Sequence, residues 1–271
     1  MATQNEKGRA FRALHEREGA FIIPNPWDRG TARLLAHVGF EALATTSAGC
    51  AFSLGKADGK VGLLAAMEHV AGIAAATDLP VSGDLENGFG DAPDTVAETI
   101  CLAVSAGLVG GSIEDATGRQ DQPIYEIEHA IERIQAAAEA ARGFAFTLTA
   151  RAENYLHGRT DLKDTIRRLR SYQEAGADVL YAPGLTTRDD ILAVVRSVDR
   201  PVNVLMGLEG ATFSLAELSE MGVKRVSVGS ALSRAAMGTV MAAAKEMREQ
   251  GTFNFARKAA RLRDLNRMFE P

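Results

Sequence analysis

The chain has 271 residues, of which 46% are hydrophobic and 24% charged, and a formal net charge of −5. It can bury a large core and still dissolve, and with no long run of one charge sign and few aromatics it offers no nucleic-acid-binding face. Its two cysteines, Cys50 and Cys101, have no Cys-x-x-Cys spacing. That excludes a disulfide framework and a structural zinc site and fits a reducing, cytoplasmic setting. No stretch of 18 apolar residues suggests a membrane span, and the polar N-terminus does not read as a secretory signal.

Taken in chain order, residues 1–18 predict a polar helix. Eight short apolar runs follow, at 20–23, 42–46, 81–85, 110–113, 145–150, 179–182, 202–205 and 225–228. They are apolar on both faces, as strands of a buried parallel sheet should be. Helical patterns alternate with them at 29–38, 64–76, 92–106, 125–141, 161–175, 188–197, 214–221 and 230–250, and a further amphipathic helix is expected at 253–268. Gly39, Gly107, Gly176 and Gly222 each stop a helix just before the chain re-enters a strand. Strict alternation of strand and helix predicts a parallel sheet with helices outside. Eight units predict a (β/α)8 TIM barrel, an α/β fold, as one domain over 1–271 with a helical tail at 250–271. A doubly wound open sheet is the alternative. The dinucleotide-binding form of it needs a Gly-x-Gly-x-x-Gly after the first strand, which is missing.

Barrel enzymes carry their chemistry at the C-terminal strand ends. Here those ends hold Asp84 and Glu86 on the third strand, Glu114 on the fourth, and Thr149, Arg151 and Glu153 on the fifth. Residues two apart share a face, so each set points one way. Asp84, Glu86 and Glu114 aimed at one mouth repel one another, and oxygen ligands of this kind suit Mg²⁺ or Mn²⁺ better than Zn²⁺. The alternative is that they cap helices or pair with Arg151. Ser47-Ala48-Gly49-Cys50 reads as a small-residue loop that could approach a carboxylate closely. Trp27, after Pro24-Asn25-Pro26, is expected to shape the mouth. His15, His37, His69 and His129 read as surface or packing residues, and only His157 is expected near the mouth.

Asn25-Pro26-Trp27-Asp28, Thr46-Ser47-Ala48-Gly49, Asp84-Leu85-Glu86-Asn87-Gly88-Phe89-Gly90, Ile113-Glu114-Asp115 and Thr149-Ala150-Arg151-Ala152-Glu153 occur in this order. Together they resemble the isocitrate lyase/phosphoenolpyruvate mutase superfamily over roughly Phe21 to Ala236. The resemblance implies a barrel whose eighth helix is exchanged between subunits of a homodimer or homotetramer. It also implies Mg²⁺ with Asp84 as direct ligand, Glu86 and Glu114 acting through water, and Asp58 nearby. Trp27, Ser47, Ala48, Gly49, Asp84 and Arg151 would bind a small 2-oxo or 2-hydroxy carboxylate, and Arg151, Glu114 and Asp58 would be catalytic. The implied activity is carbon–carbon lyase or decarboxylase chemistry through an enolate of a pyruvate-like unit. Phosphonopyruvate hydrolase or carboxyphosphonoenolpyruvate-type phosphonomutase activity is one alternative, and a non-catalytic 2-oxo-acid-binding homologue another. The stretch 116–124 departs from the lyases, because it lacks their Lys-Lys/Arg-Cys-Gly-His motif and has no Cys, His or Lys. The sixth strand end, Leu180-Tyr181-Ala182-Pro183-Gly184, lacks the lyase Glu.

Overall fold

A computed structural model describes residues 2–270; Met1 and Pro271, the outermost residues of the expected N-terminal helix and C-terminal tail, lie outside it. The chain runs α1 (Gln4–Glu16), β1 (Phe21–Ile23), α2 (Arg29–Val38), β2 (Leu43–Ala44), α3 (Ser47–Ser53), α4 (Leu63–Ala75), β3 (Val81–Asp84), α5 (Pro93–Ser105), β4 (Gly110–Glu114) and α6 (Ile127–Ala141). It continues as β5 (Thr147–Arg151), α7 (Leu162–Glu174), β6 (Val179–Tyr181), α8 (Arg188–Val195), β7 (Val202–Leu205), α9 (Leu215–Glu220), β8 (Arg225–Ser227), α10 (Ala231–Gln250) and α11 (Leu262–Phe269).

The eight strands form one parallel sheet in the order β1-β8-β7-β6-β5-β4-β3-β2. The remaining seam is bridged where the Ala44 amide donates to the Pro24 carbonyl at 3.1 Å. This is the expected (β/α)8 barrel. Its main core lies between strands and helices, where Leu43, Val81, Ile113, Leu148, Leu180, Val204 and Val226 pack against the apolar stripes of the surrounding helices. The four joint glycines have φ of 101°, 91°, 108° and 85°, the left-handed region that ends each helix and lets the next strand begin. At the N-terminal end of the barrel α1 closes the floor, with His15 edge-on to Phe11 and Phe21 at 4.8 and 5.0 Å.

Two expectations need correction. The run 42–46 yields only the two-residue β2, and the expected loop at Ser47 is the helix α3. Thr46 leaves the strand to become its N-cap, its hydroxyl accepting from the Gly49 amide at 3.3 Å. The helix expected at 253–268 is divided into a short 3-10 turn, Asn254–Lys258, and α11. The Glu246 carboxylate accepts from the Thr252 hydroxyl and from the Asn254 and Phe255 amides, which fixes the bend after α10. α10 itself buries only Ser233 and leaves Val240 67% and Met241 71% exposed. The chain then turns back and α11 lies on α2, with the Arg33 guanidinium 5.6 Å from the Phe269 ring centre. No helix among the described residues is long and apolar enough to cross a membrane.

Candidate active site

The strand register sets Asp84 beside Ser112 and Glu114 beside Arg151, so β3, β4 and β5 deliver their terminal side chains to one mouth. Arg151 is the hub. Its Nη1 lies 2.9 Å from Asp84 Oδ1, its Nη2 3.3 Å from Glu114 Oε2 and its Nε 2.9 Å from Glu153 Oε1. Its guanidinium carbon is 5.1 Å from the Tyr181 ring centre. The other oxygen of Asp84 accepts from the Ser47 amide at 3.0 Å, and the Asp84 amide donates to the Thr45 hydroxyl at 2.9 Å. The chain then leaves β3 abruptly, with Glu86 at φ 49°.

One guanidinium does not neutralise this much acid. Burial and the adjacent Asp84 and Asp58 push Glu86 up to about 7. Burial and Asp84 likewise raise Asp58. Burial holds Glu114 well above the usual carboxylate range despite Arg151, and raises Glu153 in the same way. The site therefore holds surplus negative charge, and its carboxylates resist ionising together.

Two spaces meet at Arg151. An inner cavity of about 160 Å³ descends into the barrel between Ser82, Ser112, Asn203 and Arg225, with Asp84 and Arg151 at its upper end. An outer cleft of about 690 Å³ lies between Asp58, Glu86, Glu114 and Glu153, with Phe89 and Leu156 also in its wall. Of the residues singled out in the sequence, Ser47, Ala48, Asp58, Asp84, Glu86, Glu114 and Arg151 line one space or both. Trp27 and Gly49 line neither space. The Gly49 amide is engaged by Thr46, and a Cβ there would fall 2.6 Å from Thr46 Cγ2 and 2.8 Å from Trp27 Cβ. Close packing requires that glycine.

His157 borders the outer cleft, in the 3-10 turn Asn154–His157. Cys50 is buried, and burial pushes its thiol up to about 11, away from the nucleophilic thiolate form. In the 116–124 stretch, Ala116 and Ile124 pair in an antiparallel bridge. Arg119 is tied to Asp91 at 2.7 Å and stands 5.6 Å from the Tyr125 ring centre.

Behind the mouth stands a buried support. Asp115 Oδ1 accepts from the Glu153 amide at 2.8 Å, while its Oδ2 accepts from the Tyr172 hydroxyl at 2.6 Å and Arg168 Nη1 at 3.1 Å. This holds Glu153 against Arg151. The alternation Thr149, Arg151, Glu153 was a signal for Glu153. Nothing in the sequence linked Arg168 or Tyr172 to the site, since both lie on an ordinary amphipathic helix.

Residues 11–248 match the family model described as phosphoenolpyruvate phosphomutase. A crystal structure of a Burkholderia cenocepacia J2315 protein provisionally named a lyase/mutase is 64% identical, covers 99% of this chain and 97% of that one, and superposes with a TM-score of 0.97. A second protein from that organism, provisionally named a phosphonomutase, is 38% identical over 92% of this chain and all of that one, with a TM-score of 0.83. The 2-methylisocitrate lyase of Escherichia coli K12 is 29% identical over 84% of this chain and 81% of that protein. Other relatives include oxaloacetate decarboxylases and a 2,3-dimethylmalate lyase of the PEP mutase/isocitrate lyase superfamily. The chain belongs to the phosphoenolpyruvate phosphomutase family, and its homologues in the wider superfamily are lyases and decarboxylases.

Proposed function

We propose that the chain, working as one barrel domain, is a Mg²⁺-dependent (or Mn²⁺-dependent) carbon–carbon lyase or decarboxylase that acts on a small 2-oxo or 2-hydroxy carboxylate. The observation that carries this is the buried Arg151 within hydrogen-bond or ion-pair distance of Asp84, Glu114 and Glu153, where the inner cavity meets the outer cleft.

The donor set fits a hard divalent cation. Asp58, Asp84, Glu86 and Glu114 supply only oxygen, and burial together with the neighbouring Asp84 and Asp58 holds Glu86 up to about 7. Among the described residues no three His, Cys, Asp or Glu side chains converge as a ready-made metal cage. Magnesium keeps several waters and takes one or two protein carboxylates, so it does not need such a cage. Asp84 would be the direct ligand, with Glu86 and Glu114 acting through water and Asp58 alongside. When bound, the ion would supply Lewis-acid stabilisation of charge growing on the substrate oxygen.

The chain's own residues do the rest. Ser47 and Ala48 would hold the substrate carboxylate beside Asp84. Arg151 Nη1 and Nη2 would face the C2 oxygen as the bond to C3 breaks and its electron pair moves towards that oxygen. Glu114 and Asp58, whose carboxyls burial raises, would hold and move the proton. Phe89 and Leu156, in the wall of the outer cleft, would limit the access of water to the reacting centre at Arg151. Phosphonate chemistry is a second reading, favoured by the 38% identical phosphonomutase-named relative. Phosphorus-31 NMR of phosphonopyruvate incubated with the protein separates the two: an unchanged spectrum ends the phosphonate reading.

The exposed apolar side of α10, with Val240 and Met241, supports a homo-oligomer in which this helix packs on a partner barrel. Calorimetric titration of oxalate, a mimic of the pyruvate enolate, tests the site. Binding should require Mg²⁺ and disappear in Asp84→Asn. Binding that is indifferent to both would refute the metal-assisted reading.

A further inference from the structure

Arg225 is a buried cation that the proposed reaction does not use. It opens β8, reaches into the barrel and is only 5% exposed. Its Nε donates to Asn203 Oδ1 at 2.9 Å and its Nη2 to Thr149 Oγ1 at 3.0 Å, while Nη1 lies 3.4 Å from His15 Nε2. His15 Nδ1 faces the Phe11 carbonyl at 2.9 Å, and a carbonyl only accepts, so Nδ1 carries the proton and Nε2 is a bare acceptor. Burial, with Arg225 adding to it, drives His15 down to about 3, so the ring stays neutral.

Every partner of Arg225 is therefore uncharged. Arg151 and Arg168 each have carboxylates, whereas among the described residues no carboxylate stands within ion-pair distance of Arg225. Burial lowers its pKa only to about 10, so it remains a cation at neutral pH. A guanidinium has five N–H donors, and these three contacts leave two of them free. A desolvated charge without a counter-charge is expensive to hold unless something anionic visits it.

The inner cavity shows where such a visitor would sit. Arg225 forms part of its lining, together with Ser82, Ser112 and Ser227. Barrel interiors of this fold are ordinarily filled by Val, Ile and Leu. Here the interior is polar, partly hollow and positive at depth. Thr149, the partner of Arg225, precedes Arg151 by two residues on β5, which places this layer about 6.6 Å below the mouth. A four-carbon diacid has about that span.

We infer that Arg225 forms an anion subsite inside the barrel that receives the second carboxylate of a short dicarboxylate whose 2-oxo end lies at Arg151. The subsite rests on Arg225 and the inner cavity; its use in turnover rests on the reaction proposed above. It makes the chain selective for dianionic over monoanionic acids of equal length.

The test compares succinate, butyrate and acetate by calorimetry, in chelator, on the full-length wild type, Arg225→Met and Arg225→Lys. Succinate should bind the wild type about 10- to 100-fold tighter than butyrate, the loss expected when a charged hydrogen-bonding partner is removed. Arg225→Met should abolish that preference and Arg225→Lys should retain part of it. Ligand-free Arg225→Met should still melt in one cooperative transition with an unchanged circular-dichroism spectrum, even though the buried Asn203 and Thr149 oxygens lose their donor, and this shows that lost binding is not lost folding. No succinate binding to the wild type, or equal affinity for the wild type and Arg225→Met, overturns the subsite. Arg225-dependent acetate binding that persists beside Mg²⁺ and oxalate overturns the dicarboxylate assignment, because the anion is then a separate ion. If Mg²⁺-dependent oxalate binding fails while the Arg225-dependent succinate preference stands, the reaction reading falls and the subsite survives.

Discussion

Replacing Arg151 by lysine keeps the charge and removes the fork. Arg151 meets Asp84, Glu114 and Glu153 through three different nitrogens. A single ammonium can hold one of these partners well, so at least one buried carboxylate loses its counter-charge. It will then protonate, as burial already urges on Glu114 and Glu153. Forcing one carboxyl with an ordinary pKa of about 4.3 to stay neutral at pH 7 costs about 3–4 kcal/mol, at 1.36 kcal/mol per pH unit. The sign follows from linkage. A carboxyl whose folded-state pKa is raised binds its proton more tightly in the folded chain, so its contribution is intact below about pH 4.3 and is lost as pH rises towards the folded pKa. The deficit of Arg151→Lys against wild type should therefore grow from at most about 1 kcal/mol at pH 5 to at most about 3–4 kcal/mol at pH 7, the full value applying to a carboxyl that Arg151 keeps ionised in the wild type. Urea unfolding across pH 5–8, in chelator and at fixed protein concentration so that subunit association does not shift the midpoint, measures it. A deficit that is flat with pH, or below about 1 kcal/mol at pH 7, would show that Arg151 does not neutralise the cluster as its geometry implies.

Mg²⁺ should raise Tm more at pH 8 than at pH 6, because at pH 6 Glu86, at about 7, still holds the proton that the ion must displace. Asp84→Asn should remove the shift, and equal shifts at both pH values would contradict the assignment. His15 titrates the opposite way. Its folded pKa of about 3 lies below the unfolded value, so its contribution is present above about pH 6.5 and is lost as pH falls, at up to about 1.4 kcal/mol per unit. In urea titrations between pH 6.5 and 4.5, His15→Gln should flatten that acid limb, and an unchanged slope would mean that the ring is not buried neutral. Tyr172→Phe should cost about 1–3 kcal/mol by leaving Asp115 Oδ2 short of a donor, and Arg168→Leu about 3–5 kcal/mol by breaking a buried ion pair. Once a substrate is in hand, both should lower kcat more than they raise KM, since Asp115 positions Glu153 against Arg151; a pure KM effect would argue against that.

The barrel was legible because its signals are local. Apolar runs such as 81–85 and 202–205 and the helix-stopping Gly39, Gly107, Gly176 and Gly222 declare strand, helix and joint without reference to partners. The mouth residues Asp84, Glu114 and Arg151 were legible for the same reason, being charges at the ends of runs otherwise apolar on both faces. Glu153 was visible in the pattern, but its role was not, because that depends on a neighbour across the barrel wall.

What only the tertiary structure decided concerns charge and depth. Sequence spacing placed three carboxylates at one mouth but left open whether Arg151 paired with them, and the fold shows it touching Asp84, Glu114 and Glu153 at once. Thr46 reads as the end of a strand until the need for an N-cap turns Ser47–Ser53 into a helix and leaves Gly49 packed against Trp27. Arg225 reads as one polar residue at the edge of an apolar run. Its isolation from every carboxylate among the described residues depends on β5, β7 and α1 meeting around it, and no period along one chain segment encodes that meeting. Local propensity sets which elements form, whereas pairwise distance between remote residues sets which charges are neutralised and which wait for a ligand.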